Sequence, residues 1–235
     1  MSLQQTSIPY NNTLYPHYYL CNYLPVSVGR DTLSHSLLKF KRGRQPDLNG
    51  WIDCSLEMLG TAPIPPGVTI IRALHHEETA PLQDHPTSLD RLGAALAHQF
   101  KGHYLPHLLR KSLPTREIKG LSKEQREAEL RGLYSLLPNP QPPGPAPSFL
   151  IIDDILTTGT TMKMIILAIL HAYSKANLTI FTLAKADYDT SFNQSTPLQG
   201  QNYQLGQGSN WIVAEEDPHP YTLLQLKAWI RADVF

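Results

Sequence analysis

Apolar and polar positions along the chain change period repeatedly, and the changes mark out an alternation of strands and helices. Residues 1–16 are mainly polar and read as a frayed arm. Residues 17–28 are rich in Tyr, Leu and Val and predict a strand, or a hairpin broken near Pro25. Asp31 is suited to cap a helix running to about Lys41, with Leu33, Leu37 and Phe40 on one side. Leu48, Ile52, Leu56 and Leu59 recur at helical spacing, and Gly60 supplies a stop. Pro63, Pro65 and Pro66 then stiffen the entry into a short apolar strand over 68–71. Thr87-Ser88-Leu89-Asp90 has the form of a capping box, followed by Leu92, Leu96 and Phe100 in line with Leu89 on a helix face. A strand over 104–109, a basic loop over 112–121 and a charged helix from Ser122 to about Arg131 follow.

The next punctuation is a run with six prolines in ten residues, 138–147, read as a stiff surface crossing because a strand begins at once with Phe149. A helix over 160–174 and a strand over 178–184 come next. Residues 187–208 are low in apolar content and predict a long loop, with a strand over 211–214 and a helix over 221–232 behind it. Strands alternating with helices predict an α/β fold around a parallel sheet flanked by helices. The expected organisation is a single domain: an N-terminal arm and hood segment over 1–66, then an α/β core over 67–235 with a C-terminal strand–helix extension.

Composition narrows the classes. The 235 residues carry 20 Lys+Arg against 20 Asp+Glu, a formal net charge of zero, which argues against a general nucleic-acid coat. The 20 prolines and 17% charged residues exclude a long coiled coil. Two cysteines, Cys21 and Cys54, supply neither a disulfide framework nor a four-cysteine zinc site, and a reduced, cytoplasmic protein is the expectation. Neither a signal peptide nor a membrane span is expected: the most apolar stretch, 162–172, is short and holds Lys163 and His171.

Chemistry concentrates in one segment, Phe149-Leu150-Ile151-Ile152-Asp153-Asp154-Ile155-Leu156-Thr157-Thr158-Gly159-Thr160-Thr161. Four apolar residues make a buried parallel strand, and two carboxylates follow where open α/β sheets bind ligands. A run of small hydroxyl residues around one glycine then opens a helix, whose unpaired N–H groups and dipole favour a phosphate. Carboxylates a few residues before such a cradle suit a sugar phosphate. An apolar strand ending in Asp-Asp also serves ATPases as a magnesium strand, but that reading needs a Gly-x-x-x-x-Gly-Lys-Ser/Thr loop, and the chain has none.

The segment closely resembles the thirteen-residue signature with which type I phosphoribosyltransferases bind 5-phosphoribosyl-1-diphosphate (PRPP). The resemblance implies that Asp153 and Asp154 engage the ribose hydroxyls, with Thr157, Thr158, Gly159, Thr160 and Thr161 on the 5-phosphate. It implies PRPP with Mg2+, bound without direct ligation of the metal by the protein, and transfer of the phosphoribosyl group to a nitrogen nucleophile. Lys39-Phe40-Lys41-Arg42-Gly43-Arg44, the strand over 68–74, residues 82–100 and residues 110–132 follow in the order of ComF-type competence proteins. The run Leu113-Pro114-Thr115-Arg116-Glu117-Ile118-Lys119-Gly120-Leu121-Ser122 is similar to their hood-loop region. The chain departs from them in lacking their four-cysteine zinc module. It also carries His75-His76-Glu77-Glu78 where their diphosphate loop has several basic residues.

The remaining signals each keep two readings. His75 and His76 are a diphosphate loop or a solvated loop, and a metal site is disfavoured because adjacent residues rarely share one ion. Lys39, Lys41, Arg42 and Arg44 are a solvated helix end or a phosphate or nucleic-acid contact. Arg116 and Lys119 sit on a flexible loop that closes over a diphosphate, or are mobile surface charge. Trp211 and Trp229 are packing residues or base-stacking ones. The expected function is phosphoribosyl transfer from PRPP to an unnamed acceptor. The alternatives are a non-enzymatic ComF-like module that meets single-stranded DNA, a PRPP or nucleotide sensor, and hydrolysis or phosphorolysis of a nucleotide. Self-association into a homo-oligomer is compatible with all of them.

Overall fold

The computed structural model describes residues 3–23, 32–82, 84–115, 130–137 and 146–186, together with Gln125 and Ala128. A six-stranded sheet organises them, in the order β1-β2-β8-β7-β3-β4. Its strands are β1 (Gln4–Tyr10), β2 (Thr13–Tyr23), β3 (Thr69–Arg72), β4 (His103–Tyr104), β7 (Ser148–Leu156) and β8 (Asn177–Ala186). Every neighbouring pair is parallel except β1 with β2. A separate antiparallel pair joins β5 (Leu109–Lys111) to β6 (Tyr134–Leu136). The helices are α1 (Thr32–Lys41), α2 (Asp47–Leu59), α3 (Ser88–Gln99) and α4 (Thr160–Ala172). This is a mixed α/β architecture with a mostly parallel central sheet flanked by helices.

Strand β7 sets the two layers. Its residues alternate, so Leu150 and Ile152 pack into one apolar cluster with Leu37, Trp51 and Leu92, which covers α1, α2 and α3. Phe149 and Ile151 pack into the other with Ile165 and Ile169 of α4 and with Leu109 and Tyr134 of the small antiparallel pair. Being buried on both faces is why this strand reads as a continuous apolar run.

The connections diverge at the middle of the sheet. β3 leads through α3 to β4 on one side, whereas β7 leads through α4 to β8 on the other. Helices α3 and α4 lie on opposite faces. The C-terminal ends of β3 and β7 are therefore a topological switch point, where such sheets open a crevice.

Several sequence expectations need correction. Residues 4–16 are not a frayed arm: they form β1 and the start of β2, joined by Asn11 and Asn12, whose φ angles of 46° and 62° suit a two-residue hairpin turn. Strand β2 ends at Tyr23, and Pro25, Val28 and Asp31 lie outside the described residues. In α2 the fully buried face is Leu48, Trp51, Cys54, Ser55 and Leu59, while Ile52 and Leu56 are half-buried. The stretch over 104–109 is not one strand but the end of β4, a 3-10 turn (Pro106–Leu108) and the start of β5. Asp153 and Asp154 lie within β7, which continues to Leu156, rather than after it. The capping box at Thr87 is present in full, and α4 begins at Thr160 as expected. The elements expected beyond Ala186, with Trp211 and Trp229, lie outside the described residues, as does almost all of the charged helix.

Candidate functional site

The switch point holds a cavity of about 310 Å³, lined among others by Lys41, Arg72, His75, His76, Glu78, Thr115, Tyr134, Asp153, Asp154 and Thr161. Strand alternation sends the two aspartates to different sides of the crevice. Asp154 meets α1, where the Lys41 Nζ lies 3.0 Å from its Oδ2. Asp153 is turned toward Tyr134, and its Oδ1 accepts from the Asp154 backbone N–H at 2.8 Å. Burial and then the neighbouring Asp154 charge push the Asp153 carboxyl up to about 7, against the smaller opposing effects of that N–H, Lys41 and Arg72. Burial acts to lower Lys41, but its pairing with Asp154 and the charge of Asp153 prevail, and its ammonium is held above the ordinary range.

The loop that leaves β3 is fixed from beneath. Arg72 is 2% exposed, yet its guanidinium is fully engaged. Nε donates to Asp90 Oδ1 at 2.7 Å, Nη1 and Nη2 donate to Glu78 at 2.7 and 2.8 Å, and Nη1 also donates to Ala73 O. Asp90 accepts in addition from the Tyr104 hydroxyl at 2.6 Å and from Thr87. Burial acts to raise Glu78 and Asp90; the Arg72 hydrogen bonds outweigh it and hold both below the usual carboxylate range. Glu78 Oε2 then accepts from the His75 N–H at 2.7 Å. From above, the buried Lys111 ammonium donates to His75 O at 2.9 Å and His76 O at 2.7 Å, and the Thr115 N–H donates to His76 O at 2.8 Å. With its carbonyls and one N–H taken, the loop presents its imidazoles to the crevice.

The ring centroids of His75 and His76 are 4.0 Å apart, and one ligand atom from each of His75, His76 and Glu77 falls within 4.8 Å of the others. Burial, then the neighbouring His76, lower the His75 pKa, with Lys41 adding to the effect. These three residues offer donors for a metal, although His75 and Glu77 are exposed.

The hydroxyl-rich segment closes the third side. Gly159 occupies the N-cap of α4 with φ 73°, a left-handed conformation that glycine adopts without strain, and no side chain caps the helix. The first-turn N–H groups are thus not taken up by a capping side chain. Thr161 lines the cavity; Thr157 and Thr158 are exposed beside it, and Gly159 and Thr160 are buried. The structure therefore gathers Asp153, Asp154, His75, His76 and Thr161 around one crevice. Arg116 and Lys119 lie outside the described residues. The sequence reading missed Arg72, Glu78, Asp90, Lys111 and Tyr134 as supports, and left Lys41 undistinguished within its basic run. A charged residue closing the otherwise apolar strand over 68–71 was the available signal for Arg72.

An adenine phosphoribosyl transferase from Trypanosoma brucei, solved in complex with AMP, pyrophosphate and ribose-5-phosphate, is similar over 87% of this chain and 96% of its own, at 12% sequence identity and a TM-score of 0.40. No protein-family profile matches the chain. No curated protein sequence matches it either. No helix among the described residues is long and apolar enough to cross a membrane.

Proposed function

We propose that the chain binds PRPP with Mg2+ at the switch-point crevice and transfers its phosphoribosyl group to a nitrogen nucleophile. The observation that carries the reading is the coincidence of the signature's acid pair with that crevice: Asp153 and Asp154 line one cavity with Thr161, at the mouth of an α4 whose N-terminus no side chain caps. In this reading the carboxylates accept hydrogen bonds from the two ribose hydroxyls, and the segment Thr157, Thr158, Gly159, Thr160 and Thr161 takes the 5-phosphate on its N–H and hydroxyl groups. The loop at His75 and His76 faces the diphosphate, and Arg116 and Lys119 act on the same leaving group.

Transfer breaks the bond from C1 to the diphosphate oxygen and forms one from C1 to nitrogen, which gives up its proton to solvent, with positive charge developing on the ribose. The acid pair stabilises that charge electrostatically and orients the sugar. Sugar and diphosphate oxygens fit a hard divalent cation such as Mg2+, and the nearby carboxylates add negative charge without ligating it directly. When bound with PRPP, the ion neutralises charge on the departing diphosphate. Acceptor-dependent release of diphosphate from PRPP, screened across nucleobases, tests the proposal; no release with any acceptor overturns transfer. A second reading, ligand binding without catalysis, is favoured by the imidazoles at His75 and His76 where a cationic loop would hold a leaving group. It is distinguished by PRPP binding in the absence of release.

A further inference from the structure

A diphosphate needs cations, and among the described residues the crevice has few to spare. Arg72 is committed to Glu78 and Asp90. Lys111 is 3% exposed and points its ammonium at the His75 and His76 carbonyls. Lys41 differs from both. It is the last residue of α1, 39% exposed, and its contact is a single carboxylate oxygen of Asp154 at 3.0 Å. It lines the same cavity as the acid pair and the imidazole loop, and its charge acts on Asp153 and on His75 as well as on Asp154.

We infer that Lys41 is a diphosphate-binding residue that exchanges partners: it rests on Asp154 while the crevice is empty and turns to the diphosphate oxygens when PRPP enters. This deepens the reading given above and rests on it. The exchange does two things at once. It releases Asp154 to accept from the sugar hydroxyls, and it brings to the leaving group the positive charge that the loop at His75 lacks. A flexible four-carbon stem at a helix end suits such a movement, because ammonium contacts are not bound to one direction as a guanidinium fork is.

The test uses the full chain, as wild type, Lys41→Gln, Lys41→Met and Lys41→Arg, each with a melting curve. Calorimetric titrations are run with inorganic diphosphate plus Mg2+, with ribose 5-phosphate alone, and with PRPP plus Mg2+. Losing one charge-assisted contact should weaken diphosphate and PRPP binding by about tenfold to a hundredfold in the Gln and Met variants. Ribose 5-phosphate should bind as well as to wild type or more tightly, since Asp154 is no longer occupied, and Lys41→Arg should keep most of the diphosphate affinity. A merely structural ion pair would move all three ligands together, and that outcome overturns the inference. Wild-type PRPP binding with an equal affinity in the Gln and Met variants overturns it alone. A wild type that binds none of the three ligands overturns the phosphoribosyl reading and this inference with it.

Discussion

Acidification is expected to leave the stability of the wild type nearly unchanged between pH 6.5 and 4.5, while the Asp153→Asn variant loses stability steeply over the same range. A buried histidine and a half-buried aspartate with opposite shifts produce this. His17 in β2 is fully buried, and its Nε2 lies 2.8 Å from the Thr182 Oγ1. That hydroxyl donates to Ala184 O, so it accepts from His17, which leaves the proton on Nε2 and a bare Nδ1 without a hydrogen-bond partner. Burial, followed by the charge of Lys185, lowers His17 to about 4 from its ordinary value of 6.5. The unfolded chain therefore binds the extra proton between those values, and stability is lost as pH falls through them. At about 1.4 kcal/mol per pH unit, the full loss is about 3 kcal/mol.

Asp153 works in the other sense. Its folded carboxyl is raised to about 7 from 3.8, so the folded state holds the extra proton and stability is lost as pH rises through that window. The effect runs against the fold at high pH. In the wild type the two proton differences cancel where the windows overlap. Removing Asp153 exposes the His17 slope, to which the lowered His75 adds in the same sense; His17→Gln exposes the Asp153 slope, with stability rising on acidification. Urea unfolding at pH 4.5, 5.5, 6.5 and 7.5, read as midpoint and slope for the three proteins, measures this. The reasoning is refuted if Asp153→Asn has a flat profile below pH 6.5, or if it is less stable than wild type at pH 7.5.

Other outcomes follow from the same geometry. Replacing both Asp153 and Asp154 with Asn removes two charge-assisted hydrogen bonds of roughly 1.5 to 3 kcal/mol each and should weaken PRPP binding by on the order of a hundredfold or more, without loss of melting temperature at pH 7.5; calorimetry beside a melting curve checks it. Arg72→Met strands the Glu78 and Asp90 carboxylates and should cost about 3 to 5 kcal/mol in urea unfolding. Chelating divalent ions should weaken PRPP binding far more than ribose 5-phosphate binding, and equal losses for both would contradict a role for Mg2+ at the diphosphate.

The sequence carried the parts of this molecule whose signals are local. The capping box at Thr87, the apolar run from Phe149 and the small residues around Gly159 each announce their own conformation. The hairpin did not, because Pro9 and Pro16 argue against strands. Pro9 lies on the edge strand β1 and Pro16 near the start of β2, opposite Ser7, before β8 pairing begins at His17, so neither removes a ladder bond that the sheet needs. In α2 the apolar period pointed to Ile52 and Leu56, but the buried side is anchored by polar contacts that periodicity cannot register. Ser36 donates to Asp47 at 2.5 Å, Trp51 Nε1 donates to Ser36 at 3.0 Å, and Ser55 donates to Trp51 O at 2.6 Å. The acid pair was legible as chemistry, but the residues that make it tolerable were not. Lys41 reaches Asp154 from far along the chain, and Arg72, held by the nearby Glu78 and Asp90, comes to the acid pair only through the fold.

Charge around the crevice explains why so much of the site lies outside the signature. Two adjacent carboxylates half-buried at a strand end repel each other and lose solvation. Two other carboxylates, Glu78 and Asp90, are already spoken for by Arg72, which is fully buried among them. The protein then has two ways left to lower the cost: a proton held on Asp153, and the ammonium of Lys41 laid against Asp154. Both are reversible, which a buried guanidinium fork is not. In the proposed complex, sugar hydroxyls that donate to the carboxylates replace the proton on one side and the lysine on the other. On the proposed reading, the repulsion between the two carboxylates is relieved by the groups a phosphoribosyl ligand brings, and the displaced lysine is left where the most charged part of that ligand arrives.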